Sequence, residues 1–245
     1  MPEHELWFTV LLNKLFAGPA AALLATLGIH VEDAAHPIPN RIAMQVLVAL
    51  IIMALFLFLR TRLSMDHPGR IQHVFEVFYE FVKGQAEEII GHHGHQFAPM
   101  VMTIGVFILF SNLLGLVPTF ESPTQNIQVT LGCAMVAFLY YHYSGMRHQG
   151  ILKYIKHFGG PVVFLAPVMF VIEIFSHLGR PLSLSVRLYA NMFAGKLITL
   201  IFFGLVPVGL PMIFMGLHTF VAFLQAYIFM LLTMVYLQGA VAEEH

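Results

Sequence analysis

The sequence predicts an all-α polytopic membrane protein, with about five transmembrane helices and one interfacial amphipathic helix. Three observations carry that prediction. Of the 245 residues, 58% are hydrophobic and only 10% are charged, where a soluble domain carries about 25% charged residues. The apolar residues fall in several runs long enough to cross a bilayer, which requires about 20 residues of helix, and runs of that length point to helices rather than a barrel. One further stretch alternates apolar and polar residues at helical spacing instead.

Taken in order, the chain reads as a single membrane domain over 1–245. Residues 1–40 form an N-terminal interfacial segment. Glu3 and Glu5 stand where a cleavable signal would carry basic residues, and Lys14 interrupts the apolar stretch. Leu6 to Leu15 reads as a short amphipathic helix, and Ala20 to Ile29 is too short to span. The first span is 42–59, bracketed by Arg41 and Arg60. In 70–90, Ile71, Val74, Phe75, Phe78, Phe81 and Val82 share one helical face, while Gln72, Glu76, Glu80, Lys83, Glu87 and Glu88 take the other. That is an interfacial helix, not a span. The second and third spans are 97–117 and 127–146. Beyond Pro161 come three apolar runs, Pro161 to Leu178, Leu182 to Val206 and Leu210 to Gln238, with very little polar sequence between them. They can be three crossings or two long, tilted or bent helices. The sequence contains no internal repeat.

Lys and Arg set the orientation. Arg60, Arg62 and Arg70 follow the first span, and Arg147, Lys153 and Lys156 follow the third, whereas 119–126 after the second has neither residue type. The N-terminus is therefore expected outside. The side of the C-terminus depends on the two-or-three question, and Glu243-Glu244-His245 offers no Lys or Arg to decide it.

The polar residues inside the apolar runs carry the functional signal. Arg187 lies in one of the most apolar stretches, and a guanidinium cannot shed its charge. At the bilayer centre such a group costs roughly 2.5–3.5 kcal/mol on insertion scales. On a helix of 3.6 residues per turn, Glu173, Arg180, Arg187 and Asn191 fall within a sector of about 40°. Ser176 and Ser183 flank one side of that stripe and His177 the other. Pro181 interrupts the hydrogen bonding and predicts a kink. Glu173 is almost four turns from Arg187, too far for a direct pair, so the counter-charge of Arg187 is expected from elsewhere, plausibly another chain. Glu173 and Arg180 could also form a structural ion pair. Lys196 falls nearly opposite the stripe. In the last run His218 and Gln225, seven residues apart, share a face. Polar groups in a span normally face a protein interior or a wet cavity, and two stripes on consecutive helices predict two polar routes rather than one pore.

Other features carry less. His92, His93 and His95 invite a metal reading but lack a third ligand group at fitting distance, so no metal or other cofactor is expected. His142, His148 and His157 read as interfacial. The single cysteine, Cys133, reads as small helix packing. The formal charge of −1 argues against nucleic acid as a partner.

The run Ser183-Leu184-Ser185-Val186-Arg187-Leu188-Tyr189-Ala190-Asn191-Met192-Phe193-Ala194-Gly195 resembles the signature of subunit a of F-type ATP synthases. Asn112-Leu113-Leu114-Gly115-Leu116-Val117-Pro118, the run Ser122 to Leu131, His218, and Gln225-Ala226-Tyr227-Ile228-Phe229 agree with it in order, as does Val235-Tyr236-Leu237 before an acidic tail. The resemblance covers most of the chain from Ile42 onward. It implies two long last helices, 161–206 and 208–239, strongly tilted against a c-ring, and hence a cytoplasmic C-terminus in a bacterial inner membrane.

It also implies a non-catalytic channel subunit of a proton-translocating complex. Its partners would be the c-ring subunits, the b subunit of the stator stalk, the F1 sector indirectly, and membrane lipid. Arg187 would face the ring carboxylates, with Asn191 nearby. Glu173 and Ser183 would belong to the cytoplasmic exit, and His218 and Gln225 to the outer inlet. Lys196 stands where many family members have Glu or His within the inlet. A secondary ion or proton transporter is the main rival, but such folds usually show repeated halves and paired helix breaks. A membrane hydrolase would need Ser183 or Ser185 near His177, without a Gly-x-Ser-x-Gly elbow.

Overall fold

A computed structural model describes residues 6–26, 36–64, 69–91, 93–117, 120–150, 154, 166–205 and 209–241. His92, Pro118, Lys153, Lys156, His157, 161–165 and the acidic tail, on which the sequence raised expectations, lie outside these residues. The described chain forms seven α-helices. They are α1 (Trp7–Thr26), α2 (Asn40–Thr61), α3 (Arg70–Ile90), α4 (Ala98–Leu114), α5 (Ile127–Gln149), α6 (Ala166–Leu205) and α7 (Leu210–Val241). Two single 3-10 turns, Gly94–Gln96 and Pro123–Gln125, precede α4 and α5. No strand occurs among the described residues, and the architecture is that of an all-α polytopic membrane protein.

The helix boundaries follow from backbone chemistry. Pro39 sits at the entry of α2 with φ −73, where the missing N–H has no partner to lose. α3 and α5 stop at Gly91 and Gly150, whose φ values of 96 and 81 exclude a side chain without strain. α2, 168–205 of α6, and α7 are each long and apolar enough to cross a membrane. α4 is equally apolar but has 17 residues, which rise about 26 Å and match a thin span. α5, with 23 residues, packs against both long helices.

Antiparallel contacts fix the order of passes. Thr130 Oγ1 lies 3.0 Å from Ser185 Oγ and Tyr141 hydroxyl lies 3.0 Å from His177 Nδ1, so α5 and α6 run in opposite directions. Asn191 meets Gln225 in the same sense between α6 and α7. Gln149 Nε2 then donates to the Ala240 carbonyl at 3.2 Å, bringing the last turns of α5 and α7 together. The chain after α5 therefore crosses twice, not three times. α6 has 40 residues and continues through Pro181 without a break. At 1.5 Å per residue it is about 60 Å long, twice the roughly 30 Å hydrocarbon core, so it must lie steeply tilted or curved.

The interior is built from small residues against large ones, as helix packing within a membrane demands. One cluster joins Val82 and Ala86 of α3 to Val101 of α4, Tyr141 of α5 and Met230, Met234 and Leu237 of α7. A second places Leu184, Leu188 and Met192 of α6 against Ala134 and Ala137 of α5 and Ala222, Ala226 and Phe229 of α7. α1 is held to α2 through Phe8, Ala43 and Met44, and Asn13 exchanges hydrogen bonds with the Ile38 backbone. Gln72 of α3 bonds both the amide and the carbonyl of Ser64, fixing the link from α2. Ile71, Val74 and Phe81 stay exposed. α3 thus offers apolar surface outward while its buried edge grips α4 and α7.

Gly145 sits where a Cβ would lie 2.9 Å from the Ala240 carbonyl oxygen and 2.6 Å from the Tyr154 ring, whereas a Cβ at Gly132 would meet nothing within 4 Å. Gly145→Ala is expected to lower stability by about 1–3 kcal/mol through overpacking. Gly132→Ala should be neutral or stabilising by up to about 1 kcal/mol, since it removes a helix-interior glycine. Thermal unfolding of the two variants in detergent measures the difference.

Candidate proton-translocation site

Arg187 is carried by the middle of α6, and its side chain is exposed on the outer edge of the bundle. Just 11% of the most apolar stretch of α6 is buried, against 44% in α7, so α6 shows most of its surface to whatever lies beyond the chain. Helical geometry places the buried face around Leu184, Leu188 and Met192, with Arg187 at its border. Ser183, one turn earlier, is exposed on the same outward side. Among the described residues Arg187 makes no hydrogen bond or ion pair. Its charge is unmatched within the described chain.

Two polar groups lie on either side of that level. Toward the start of α6, Glu173 Oε1 lies 3.1 Å from His177 Nε2, and His177 Nδ1 lies 3.0 Å from the Tyr141 hydroxyl. His142 Nδ1 lies 2.7 Å from the Tyr154 hydroxyl, and the His142 and His177 rings are 5.1 Å apart. The Arg180 guanidinium stands over the rings of Tyr236 at 5.2 Å and Tyr141 at 6.0 Å. Glu173 therefore pairs with His177 rather than with Arg180, and the alternative of a Glu173–Arg180 ion pair is not what forms. His142, expected at a membrane edge, joins the same cluster. It is half-buried and bonded within this cluster, because the α5–α6 seam opens there toward Tyr154.

Toward the end of α6, Asn191 Nδ2 donates to Gln225 Oε1 at 2.7 Å. Gln225 is 1% exposed and its Nε2 has no partner among the described residues. The His218 ring packs on Gly195, where a Cβ would stand 3.0 Å from three ring atoms, and its buried Nε2 is likewise without a partner. A side chain at 195 would displace the imidazole, so glycine there is a requirement of close approach. Lys196 follows, half-exposed and on the far side of α6 from Arg187. Beside this group runs a buried hydroxyl–amide chain that sequence reading gave no role. The Ser122 hydroxyl donates to the Ser111 carbonyl, Thr124 Oγ1 donates to Asn112 Oδ1 at 2.7 Å, and Asn112 Nδ2 donates to the Ala222 carbonyl of α7 at 3.4 Å.

Between the two groups the seam is dry. Leu184 and Leu188 of α6 are 1% and 0% exposed against Ala222, Ala226 and Phe229. At that depth Thr130 Oγ1 meets Ser185 Oγ and also donates to the Ile127 carbonyl of its own helix. The arrangement is two clusters of polar side chains, a buried apolar layer between them, and one exposed cation at the outer edge of that layer. Among the described residues no group of His, Cys, Asp and Glu is arranged to hold a metal ion.

Of the residues singled out from the sequence, the structure brings Glu173 to His177 and Asn191 to Gln225, packs His218 on Gly195, and leaves Arg187 and Ser183 exposed and Lys196 half-exposed; Tyr141, His142, Tyr154 and Tyr236 had been given no role in such a cluster. The signal was the run Tyr140-Tyr141-His142-Tyr143, polar and aromatic inside an otherwise apolar span. Asn191→Leu is expected to destabilise the chain by about 1–3 kcal/mol, since the Gln225 amide then loses its remaining partner while buried. Adding Gln225→Leu should recover most of that loss. A double-mutant cycle on unfolding in detergent checks the coupling.

Comparisons with known proteins match nearly the whole chain. Residues 42–238 match the family model described as ATP synthase A chain. A protein of Koribacter versatilis named ATP synthase subunit a is 49% identical over 242 residues, covering 99% of both chains. Its namesake in Solibacter usitatus is 52% identical over 233 residues, covering 95% of this chain and 99% of the relative. ATP synthase subunit a 3 of Pelobacter propionicus is 47% identical over 196 residues, 79% of this chain and 84% of its own. Sequence and architecture therefore agree that this chain, an all-α polytopic membrane protein, belongs to the ATP synthase A chain family.

Proposed function

We propose that the chain is the proton-translocating stator subunit of an F-type ATP synthase, providing two offset half-channels that load and unload carboxylates on a rotating ring of c subunits. The observation that carries this reading is Arg187, unmatched among the described residues on the exposed edge of α6, level with a buried apolar layer that lies between two polar clusters. His218, Gln225 and Asn191, with Lys196 beside them, line the inlet from the outer side. Glu173 and Ser183 line the route to the cytoplasm. The subunit is non-catalytic. It works alongside the c-ring, the b subunit of the stator stalk and, indirectly, the soluble catalytic sector. It lies in a bacterial inner membrane as one multi-pass domain, with the N-terminus outside and the C-terminus cytoplasmic.

The physical problem is to turn ion flow into rotation. One continuous pore would dissipate the gradient. With two half-channels, each proton must ride a ring carboxylate around before it can leave. Arg187 favours the ionised carboxylate that faces it, so the arriving proton is released. It also blocks a direct shortcut, because a fixed cation repels a proton and a guanidinium does not relay one. Opposite charges about 4 Å apart gain about 4 kcal/mol at an effective dielectric of 20. The membrane supplies about 2.3 kcal/mol per charge per 100 mV. A tight dry pair would stall the ring, so the contact is loose or water-separated.

Membrane vesicles carrying the assembled complex with Arg187→Ala test the reading. ATP-driven proton pumping should be lost, while passive proton conduction is retained or raised. Arg187→Lys should fail as well, because a buried lysine can lose its proton. Normal pumping by Arg187→Ala would sink the stator role.

A further inference from the structure

Tyr141, His177 and Glu173 form a line of hydrogen bonds whose direction, with His177 neutral, is set by the carboxylate end. The tyrosine hydroxyl, 3.0 Å from Nδ1, can donate there, and the carboxylate oxygen, 3.1 Å from Nε2, can only accept when ionised. Both bonds are satisfied together by one neutral tautomer, with hydrogen on Nε2 and a lone pair on Nδ1. His177 is 9% exposed and Tyr141 is 1% exposed, so neither side chain reorients freely. Glu173 is less buried, with 36% of its side chain exposed. The line therefore runs from the packed α5–α6 seam out to a carboxylate at the accessible end.

The surroundings fit the same assignment. Arg180, the cation nearest in sequence, is held over the faces of Tyr141 and Tyr236 and does not pair with Glu173. On α5, the His142 ring lies 5.1 Å from the His177 ring, tilted by 39°, and is bonded in turn to Tyr154. A carboxylate free to swing toward Arg180 would form a closed ion pair and cease to exchange protons. A carboxylate held by a neutral N–H donor stays aimed and remains able to take up a proton and give it away.

From this geometry we infer that Tyr141 and His177 are positioning residues for Glu173, locking one imidazole tautomer so that Nε2–H holds the carboxylate on the proton route at that end of α6. The inference rests on the proton-translocation reading. No proton passes through the imidazole itself. Glu173 takes up a proton, the Nε2–H bond weakens, the proton leaves from the same carboxyl group, and the bond is restored.

The test compares His177→Gln with His177→Asn in vesicles carrying the assembled complex, reading passive proton conduction and ATP-driven pumping. Glutamine places an amide N–H near the position of Nε2, whereas asparagine reaches only to the position of Nδ1. His177→Gln should conduct within about twofold of the wild type, while His177→Asn should lose about tenfold, the worth of one hydrogen bond to a charged group. Equal behaviour of the two variants, whether both normal or both inactive, would overturn the inference. Should either variant fail to assemble, Tyr141→Phe keeps the ring packing and removes only the hydroxyl. It should lower conduction about threefold, the lower range for a single neutral bond, and an unchanged rate overturns the inference. A wild type that does not pump would instead defeat the underlying reading, so the two failures are separable.

Discussion

A guanidinium that cannot discharge, held at the edge of a membrane helix without a carboxylate partner among the described residues, is the constraint on which the rest depends. Burying an unpaired charge in hydrocarbon is costly, and a chain lowers that cost by pairing it, wetting it or sharing it with a partner. The described chain does not pair Arg187. Its nearest acid along α6 is tied to His177, almost four turns away. The steep, mostly unburied course of α6 then has a clear use. It carries the cation along an open flank where a second protein can supply the opposite charge, while the opposite face of the same helix builds the core with α5 and α7.

The core makes the cation useful. Leu184 and Leu188 close against Ala222, Ala226 and Phe229, so the polar pockets near His177 and Gln225 do not meet inside the chain. Close approach is bought with small residues. Gly195 admits the His218 ring, and Gly145 lets the ends of α5 and α7 touch. These contacts fix the antiparallel register, and the register sets the pockets at different depths. Rotation-coupled transport needs that offset, since aligned pockets would make a leak.

Much of this was legible in the chain. The spans, the amphipathic α3 and the stripe of Glu173, Arg187 and Asn191 follow from helical periodicity, which sequence records directly. The number of passes after Pro161 did not, because loops without Lys or Arg carry no orientation signal. The Gln149–Ala240 bond answered it. The partner of Glu173 was also illegible from periodicity. His177 and Arg180 both lie within reach on one helix, and the choice is made by Tyr141 and Tyr236 from other helices, which engage the guanidinium. The contact of His142 with Tyr154 was illegible for a similar reason, since Tyr154 lies beyond the end of α5.

The central claim is that the two polar pockets open to opposite sides of the membrane and are separated at the level of Arg187. Single cysteines at His177 and at Gln225, each in a Cys133→Ser background, can be challenged with a small membrane-impermeant thiol reagent applied to sealed vesicles of either orientation. The account predicts labelling of the first from the cytoplasmic side alone, of the second from the outer side alone, and of a cysteine at Leu188 from neither. Labelling of both pockets from one side would mean a continuous path, and would contradict the account.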